Sequence, residues 1–277
     1  MKNSLCLVGN LWTMSEYPNP LREWSLERKI NAIADAGFHA VTGDLDEKVI
    51  SCARKLDLDY VGWFWPKNCA DVRAGAEACQ RLGLQRATVF LGHHNTSHAQ
   101  VLAMALELHR QGLKRGIYFA PETHRDTGTE TPEKTSALLK AFQIRTGQEL
   151  PITWDFSHHA VVKHLLPQQW PERLLIHKKN IQQAELFHFR PFNGHHVQIP
   201  VRVVGRKTSE YNDFLNFTKK VFTLWRSAPA NQERTFLACP EVGPKVGGYG
   251  LSYEMPSWEQ ATLLAKDLKK IWSASAS

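Results

Sequence analysis

The chain has 277 residues, of which 43% are hydrophobic, 10% aromatic and 22% charged; it can bury a sizeable core and is neither disordered nor fibrous. Its net charge of +7 is spread thinly, and the longest basic clusters are pairs (Lys178-Lys179, Lys219-Lys220, Lys269-Lys270), which permits an anionic partner without indicating one. No apolar run approaches the roughly 20 residues of a membrane span, so a transmembrane protein is excluded.

The N-terminus, Met1 to Leu5, enters a strand-like segment without a signal-peptide pattern, and a cytoplasmic location is expected. Five cysteines, Cys6, Cys52, Cys69, Cys79 and Cys239, are widely spaced and lack a CxxC. They fit neither a disulfide framework nor a zinc ribbon and are read as reduced thiols.

Taken in chain order, β-rich segments alternate with stretches of helical length. A strand over 5–11 is followed by a helix near 21–36, a strand over 40–43 by a helix near 46–56, and a strand over 60–65 by a helix near 70–82. The next strands, 87–91, 116–120 and 152–155, precede helices near 98–110, 132–145 and 159–166. A short helix within 171–183 leads to a strand over 186–189, a helix over 208–226, a last strand over 235–239 and a closing helix over 258–272. Eight repeats of about 35 residues match a single (β/α)8 barrel domain spanning 1–277. The competing doubly wound sheet lacks support: no GxGxxG follows the first strand and no GxxxxGK[ST] occurs anywhere.

Catalytic groups of such barrels lie at the C-terminal strand ends. The last four predicted strands each end in a potential metal ligand: Glu122, Asp155, His188 and Glu241. Three carboxylates and an imidazole with room for water or a chelating substrate suit Mn²⁺, Mg²⁺ or Co²⁺; Zn²⁺ remains open, although a closed structural zinc site would favour Cys and His. The plainer reading is that the acids cap the next helix or pair with nearby Arg.

The runs Pro-Glu-Thr-His-Arg-Asp at 121–126, Trp-Asp-Phe-Ser-His-His at 154–159, His-Phe-Arg at 188–190 with His-Val-Gln-Ile-Pro at 196–200, and Pro-Glu-Val-Gly-Pro at 240–244 together resemble the xylose isomerase-like TIM-barrel superfamily, in its sugar phosphate isomerase/epimerase branch. The resemblance covers the second half in detail and the first by architecture. It implies a divalent metal on Glu122, Asp155, His188 and Glu241, a sugar-like substrate bound through adjacent oxygens, and Glu122 and Glu241 exchanging the proton of a substrate carbon. The residue choice suits that chemistry, since moving a proton beside a ketone needs acid and base groups and a cation for the developing enediolate.

Around this centre, His158 follows Asp155 by one helical turn and either joins the metal or donates to substrate, the second being favoured. Arg125 and Arg190 offer bidentate forks for an anionic substrate, or else pair with Asp126 and the metal-site carboxylates. His124, His196 and Gln198 are further substrate contacts by position and family pattern, and His93 and His94 end the fourth strand. Trp63 and Trp65 share parity and could wall a sugar ring. Cys239 shares parity with Glu241, one layer below it.

The leading function is a metal-dependent isomerase or epimerase acting on a keto-sugar or sugar acid. A lyase, dehydratase or decarboxylase, could use the same site on an oxidised sugar acid. An endonuclease IV-like nuclease would need a histidine near the third strand, which ends Trp-Phe-Trp, and an Asp-x-His near the seventh; nucleic acid is therefore not the expected partner. A non-catalytic binding barrel is the remaining alternative. Nothing in the sequence decides for or against a homo-oligomer.

Overall fold

In a computed structural model describing residues 3–275, eight parallel strands alternate with helices. Met1 and Lys2, which open the expected leaderless N-terminus, lie outside the described residues. The strands are β1 (Ser4–Asn10), β2 (Ala40–Asp44), β3 (Asp59–Phe64), β4 (Arg86–Val89), β5 (Tyr118–Pro121), β6 (Trp154–Asp155), β7 (Leu186–His188) and β8 (Thr235–Cys239). The helices are α1 (Leu26–Asp35), α2 (Glu47–Arg54), α3 (Cys69–Arg81), α4 (His98–Arg115), α5 (Pro132–Thr146), α6 (Phe156–Val162), α7 (Trp170–Leu174), α8 (Lys178–Gln183), α9 (Ser209–Arg226) and α10 (Ser257–Ala274). No helix among the described residues is long and apolar enough to cross a membrane.

The sheet runs β5-β4-β3-β2-β1-β8-β7-β6, so neighbours in sequence are neighbours in space and the first strand pairs with the last. Its two ends meet through Thr153. Thr153 N–H donates to Pro121 O (2.9 Å), and Thr123 N–H donates to Thr153 O (3.1 Å). The Thr123 hydroxyl continues the seam, accepting from Asp155 N–H (2.8 Å) and donating to Asp155 O (2.9 Å). A side chain thus replaces ladder bonds at the closure, beside Glu122 and Asp155.

Polar caps set most helix starts, each satisfying backbone donors the helix leaves orphaned. Ser25, Asp46, Asn68, Thr131 and Thr208 accept from first-turn N–H groups, and Ser97 forms a capping box with Gln100. The expected 21–36 helix is accordingly shorter: a 3-10 turn occupies Pro20–Arg22, and α1 starts only after Ser25. The expected 159–166 helix starts earlier, because Asp155 itself caps α6, which ends before His164 at φ 49°. The 171–183 segment forms two short helices, α7 and α8.

The larger core lies between sheet and helices, with Phe187 stacked on Phe236 at 4.4 Å and Trp225 and Trp272 packed around them. A smaller cluster of Val8, Ala40, Val61, Leu186, Leu237 and Cys239 fills the barrel interior. Burial pushes the Cys239 thiol well up, so it is an inert packing group beneath the mouth. The long 193–207 connection is tied to α10: Asp267 accepts from Arg202 (2.8 Å), Lys207 (2.8 Å) and Tyr211 (3.0 Å), and Gln260 accepts from Val201 N–H.

Thr123→Val keeps the shape of the side chain but removes the acceptor of the buried Asp155 N–H and a donor to the Asp155 C=O. Urea denaturation is expected to show a loss of about 1–3 kcal/mol; unchanged stability would contradict the role of this hydroxyl in closure.

Candidate active site and metal centre

Each candidate group is delivered by the end of a different strand. Glu122 follows β5 and is held by its N–H on Val89 O (3.0 Å); Glu241 follows β8 by two residues, its N–H on Phe189 O (3.1 Å). Asp155 and His188 are the last residues of β6 and β7. Arg190 lies two residues beyond His188 and is 1% exposed.

These side chains converge. His188 Nδ1 lies 3.2 Å from Glu122 Oε1 and 2.8 Å from Glu241 Oε2. Arg190 Nη2 donates to Glu241 Oε1 at 2.8 Å and lies 3.4 Å from Asp155 Oδ2. His158 Nε2 is 3.5 Å from the same Asp155 oxygen. Asp155 Oδ1 accepts from the backbone and hydroxyl of Ser157, so helix capping uses one oxygen and leaves the other for the site.

Burial is the largest influence on every one of these groups. It pushes Glu122 up and Asp155 up to about 6. Burial also opposes ionisation of Glu241, but Arg190 and His188 outweigh it and hold that carboxyl low. The two glutamates shift in opposite directions because Arg190 bonds only to Glu241. Burial lowers His188, yet the flanking carboxylates outweigh it and raise it well above the usual histidine value. Burial and Arg190 lower His124 to about 4 and His158 well below its ordinary value, which leaves both imidazoles neutral at pH 7.

The donor set fits a divalent cation. Glu122 Oε2 and His188 Nε2 are buried without a hydrogen-bond partner, and Asp155 Oδ2, Glu241 Oε2 and His188 Nδ1 make only ion-pair contacts, an arrangement that is costly unless something else engages them. Ligand atoms of Glu122, His188 and Glu241 lie within 4.8 Å of one another, as do those of Glu122, His124 and His158. Asp155 joins neither group and stands beside the first through Arg190. Three carboxylates and one guanidinium leave two negative charges once His188 is neutral, which a divalent ion would balance.

A cavity of about 450 Å³ opens above this cluster. Of the residues expected from sequence, Glu122, His124, Arg125, His188, Arg190, Glu241, Trp63 and Trp65 line it. Arg190 pairs with the carboxylates through Nη2 while Nε and Nη1 have no partner. Arg125 lies over the Tyr249 ring, 4.7 Å away, and Asp126 pairs with His94 rather than with an arginine. His158 is buried and borders an adjoining hollow with Arg125. Gln198 is elsewhere: its amide donates to Gly243 O (3.2 Å) and accepts from Gly243 N–H (2.6 Å), clasping the loop that follows Glu241. His196 is exposed against Asn193, outside the cavity lining.

Asn10, Thr42, Thr88, Phe90 and Tyr249 also line the cavity. Strand-end position could have found the first four. Tyr249 sits in an irregular glycine-rich loop that carries no periodic signal.

No family model matches the chain, and no curated relative does. Solved structures do match over nearly the whole length. A D-allulose 3-epimerase from Methylomonas sp. superposes with a TM-score of 0.60 at 13% identity, covering 97% of this chain and 98% of its own. The chain has the xylose isomerase-like TIM-barrel fold. A D-tagatose 3-epimerase-like protein matches at TM-score 0.59 and 15% identity over 100% of both chains. A xylose isomerase-like barrel from Mycobacterium smegmatis, in complex with magnesium, matches at 0.59 and 12%, covering 98% of this chain and all of the other.

A cation bound among Glu122, His188 and Glu241 would displace the proton of the raised His188 and favour the ionised form of the neighbouring Asp155, pushed up to about 6. Mn²⁺ affinity measured by titration calorimetry is therefore expected to fall as pH drops through about 6, with proton release visible across buffers of different ionisation enthalpy. An affinity independent of pH would contradict this ligand set.

Proposed function

We propose that this barrel is a divalent-cation-dependent isomerase or epimerase that moves a proton beside the carbonyl of a keto-sugar or sugar acid, with Glu122 and Glu241 as the acid/base pair. One observation carries the reading: the two glutamates reach the same His188 nitrogen from different strands, at 3.2 and 2.8 Å, and Glu122 keeps its buried Oε2 without a partner. A substrate carbon between them would face a carboxylate on either side.

Glu122, raised by burial, is the more basic of the two and in its ionised form takes the proton from one face of the carbon; Glu241, held low by Arg190, delivers a proton drawn from solvent to the other face in its protonated form and is left ionised. Neutral His124 and His158 bind sugar hydroxyls, each ring nitrogen donating or accepting by tautomer. The free Nε and Nη1 of Arg190 and the fork of Arg125 address substrate oxygens. Trp63 walls the cavity beside the ring and excludes water. A divalent cation on Glu122, His188 and Glu241 with Asp155 alongside, Mn²⁺ in preference to Mg²⁺, Co²⁺ or Zn²⁺, would supply positive charge next to the oxygen that becomes negative as the proton leaves. The fold shared with a D-allulose 3-epimerase supports the substrate class.

Incubation of the Mn²⁺-loaded protein with keto-sugars and keto-acid sugars in deuterated water tests the reaction. Solvent deuterium is expected in the product without loss of mass; release of water or carbon dioxide would replace isomerisation by a lyase reaction. Glu241→Gln is expected to slow turnover by about 10²–10⁴ with the fold intact, and retained activity would refute its role.

A further inference from the structure

The cavity is chemically divided by the order of the strands. Every charged group that lines it follows β5 to β8, whereas β1 to β4 and their ends contribute only neutral hydrogen-bonding and aromatic side chains. On the neutral side, Trp65 stacks on Phe90 with ring centres 4.7 Å apart and planes 26° from parallel, and Trp63 meets Phe90 edge-on at 5.7 Å. Trp65 is fixed by its indole N–H, which donates to Gly92 O at 2.7 Å.

Trp65 is also 42% exposed, while Trp154, Trp170 and Trp225 are buried to within 1%. Those three are packing residues. A tryptophan locked in orientation, stacked on a second aromatic ring and still 42% exposed at a cavity wall can serve as a platform for another ring. His124 connects it to the chemistry: the imidazole lies edge-on to Trp65 at 5.5 Å and to Phe90 at 5.0 Å, and its ring nitrogen is within 4.8 Å of a Glu122 oxygen. A sugar whose reacting carbon sits between Glu122 and Glu241 therefore lies alongside His124. What reaches Trp65 is a group attached beyond that ring.

We infer that the substrate is a glycoside, in which the reacting sugar lies over the carboxylates and a second ring rests on the Trp65–Phe90 platform. The orientation rests on the proton-transfer reading above; the platform itself does not. Stacking of a planar or sugar ring onto an indole face supplies selectivity for the two-ring ligand over the free monosaccharide, with no charged group required at the outer end.

The test is binding of 4-nitrophenyl and methyl glycosides, compared as α and β pairs of D-glucose and D-galactose, to the full-length protein by calorimetry and tryptophan fluorescence. At least one 4-nitrophenyl glycoside is expected to bind about tenfold more tightly than its methyl partner, equivalent to ~1.4 kcal/mol. Trp65→Ala should abolish that preference while changing methyl glycoside affinity less than about twofold, and Trp65→Phe should keep most of it. Equal affinities in every pair, or a preference that survives Trp65→Ala, would overturn the inference. Because binding is read without turnover, an aryl preference lost in Trp65→Ala would stand even if deuterium exchange failed, and exchange without an aryl preference would leave the reaction and remove the subsite.

Discussion

Three carboxylates buried within reach of one another cannot all stay ionised unless positive charge is placed among them. This constraint organises the barrel mouth. Arg190 is drawn inside to lie between Asp155 and Glu241, and His188 bridges Glu122 and Glu241. The compensation is incomplete, which leaves a site rich in carboxylates with the buried Oε2 of Glu122 unpartnered beneath a cavity. A divalent cation answers both deficits at once, and the unequal treatment of the two glutamates follows from the same arrangement, since only Glu241 has the guanidinium.

The scaffold keeps these groups close by economical means. The Thr153 bridge and the Thr123 hydroxyl bring the β5 and β6 ends together, which places Glu122 beside Asp155. Gln198 clasps the loop after Glu241, and α10 anchors the segment that carries Gln198 through Gln260 and Asp267. Residues distant from the cavity thus set where the carboxylates stand.

Much of this was legible in the sequence for a physical reason: parallel barrel strands are short apolar runs separated by capped helices, and strand ends all face one mouth. The order of Glu122, Asp155, His188 and Glu241 therefore carried spatial meaning. Trp63 and Trp65, which share strand parity, both line the cavity. Arg190 shows the limit. Its charge could have served an anion or the neighbouring carboxylates, and only packing reveals that one nitrogen does the second while others stay free. Gln198, His196 and Tyr249 lie in long irregular connections, where neither period nor register says which way a side chain turns. The diffuse +7 charge carried little; the cation that matters most is a single buried arginine.

The most direct test is an anomalous-scattering map of crystals grown with Mn²⁺. The account predicts one strong peak at the barrel mouth bounded by Glu122, His188 Nδ1 and Glu241, with Asp155 at its side. Mn²⁺ bound away from these residues, or absent while His188 and Arg190 still hold the carboxylates, would contradict it.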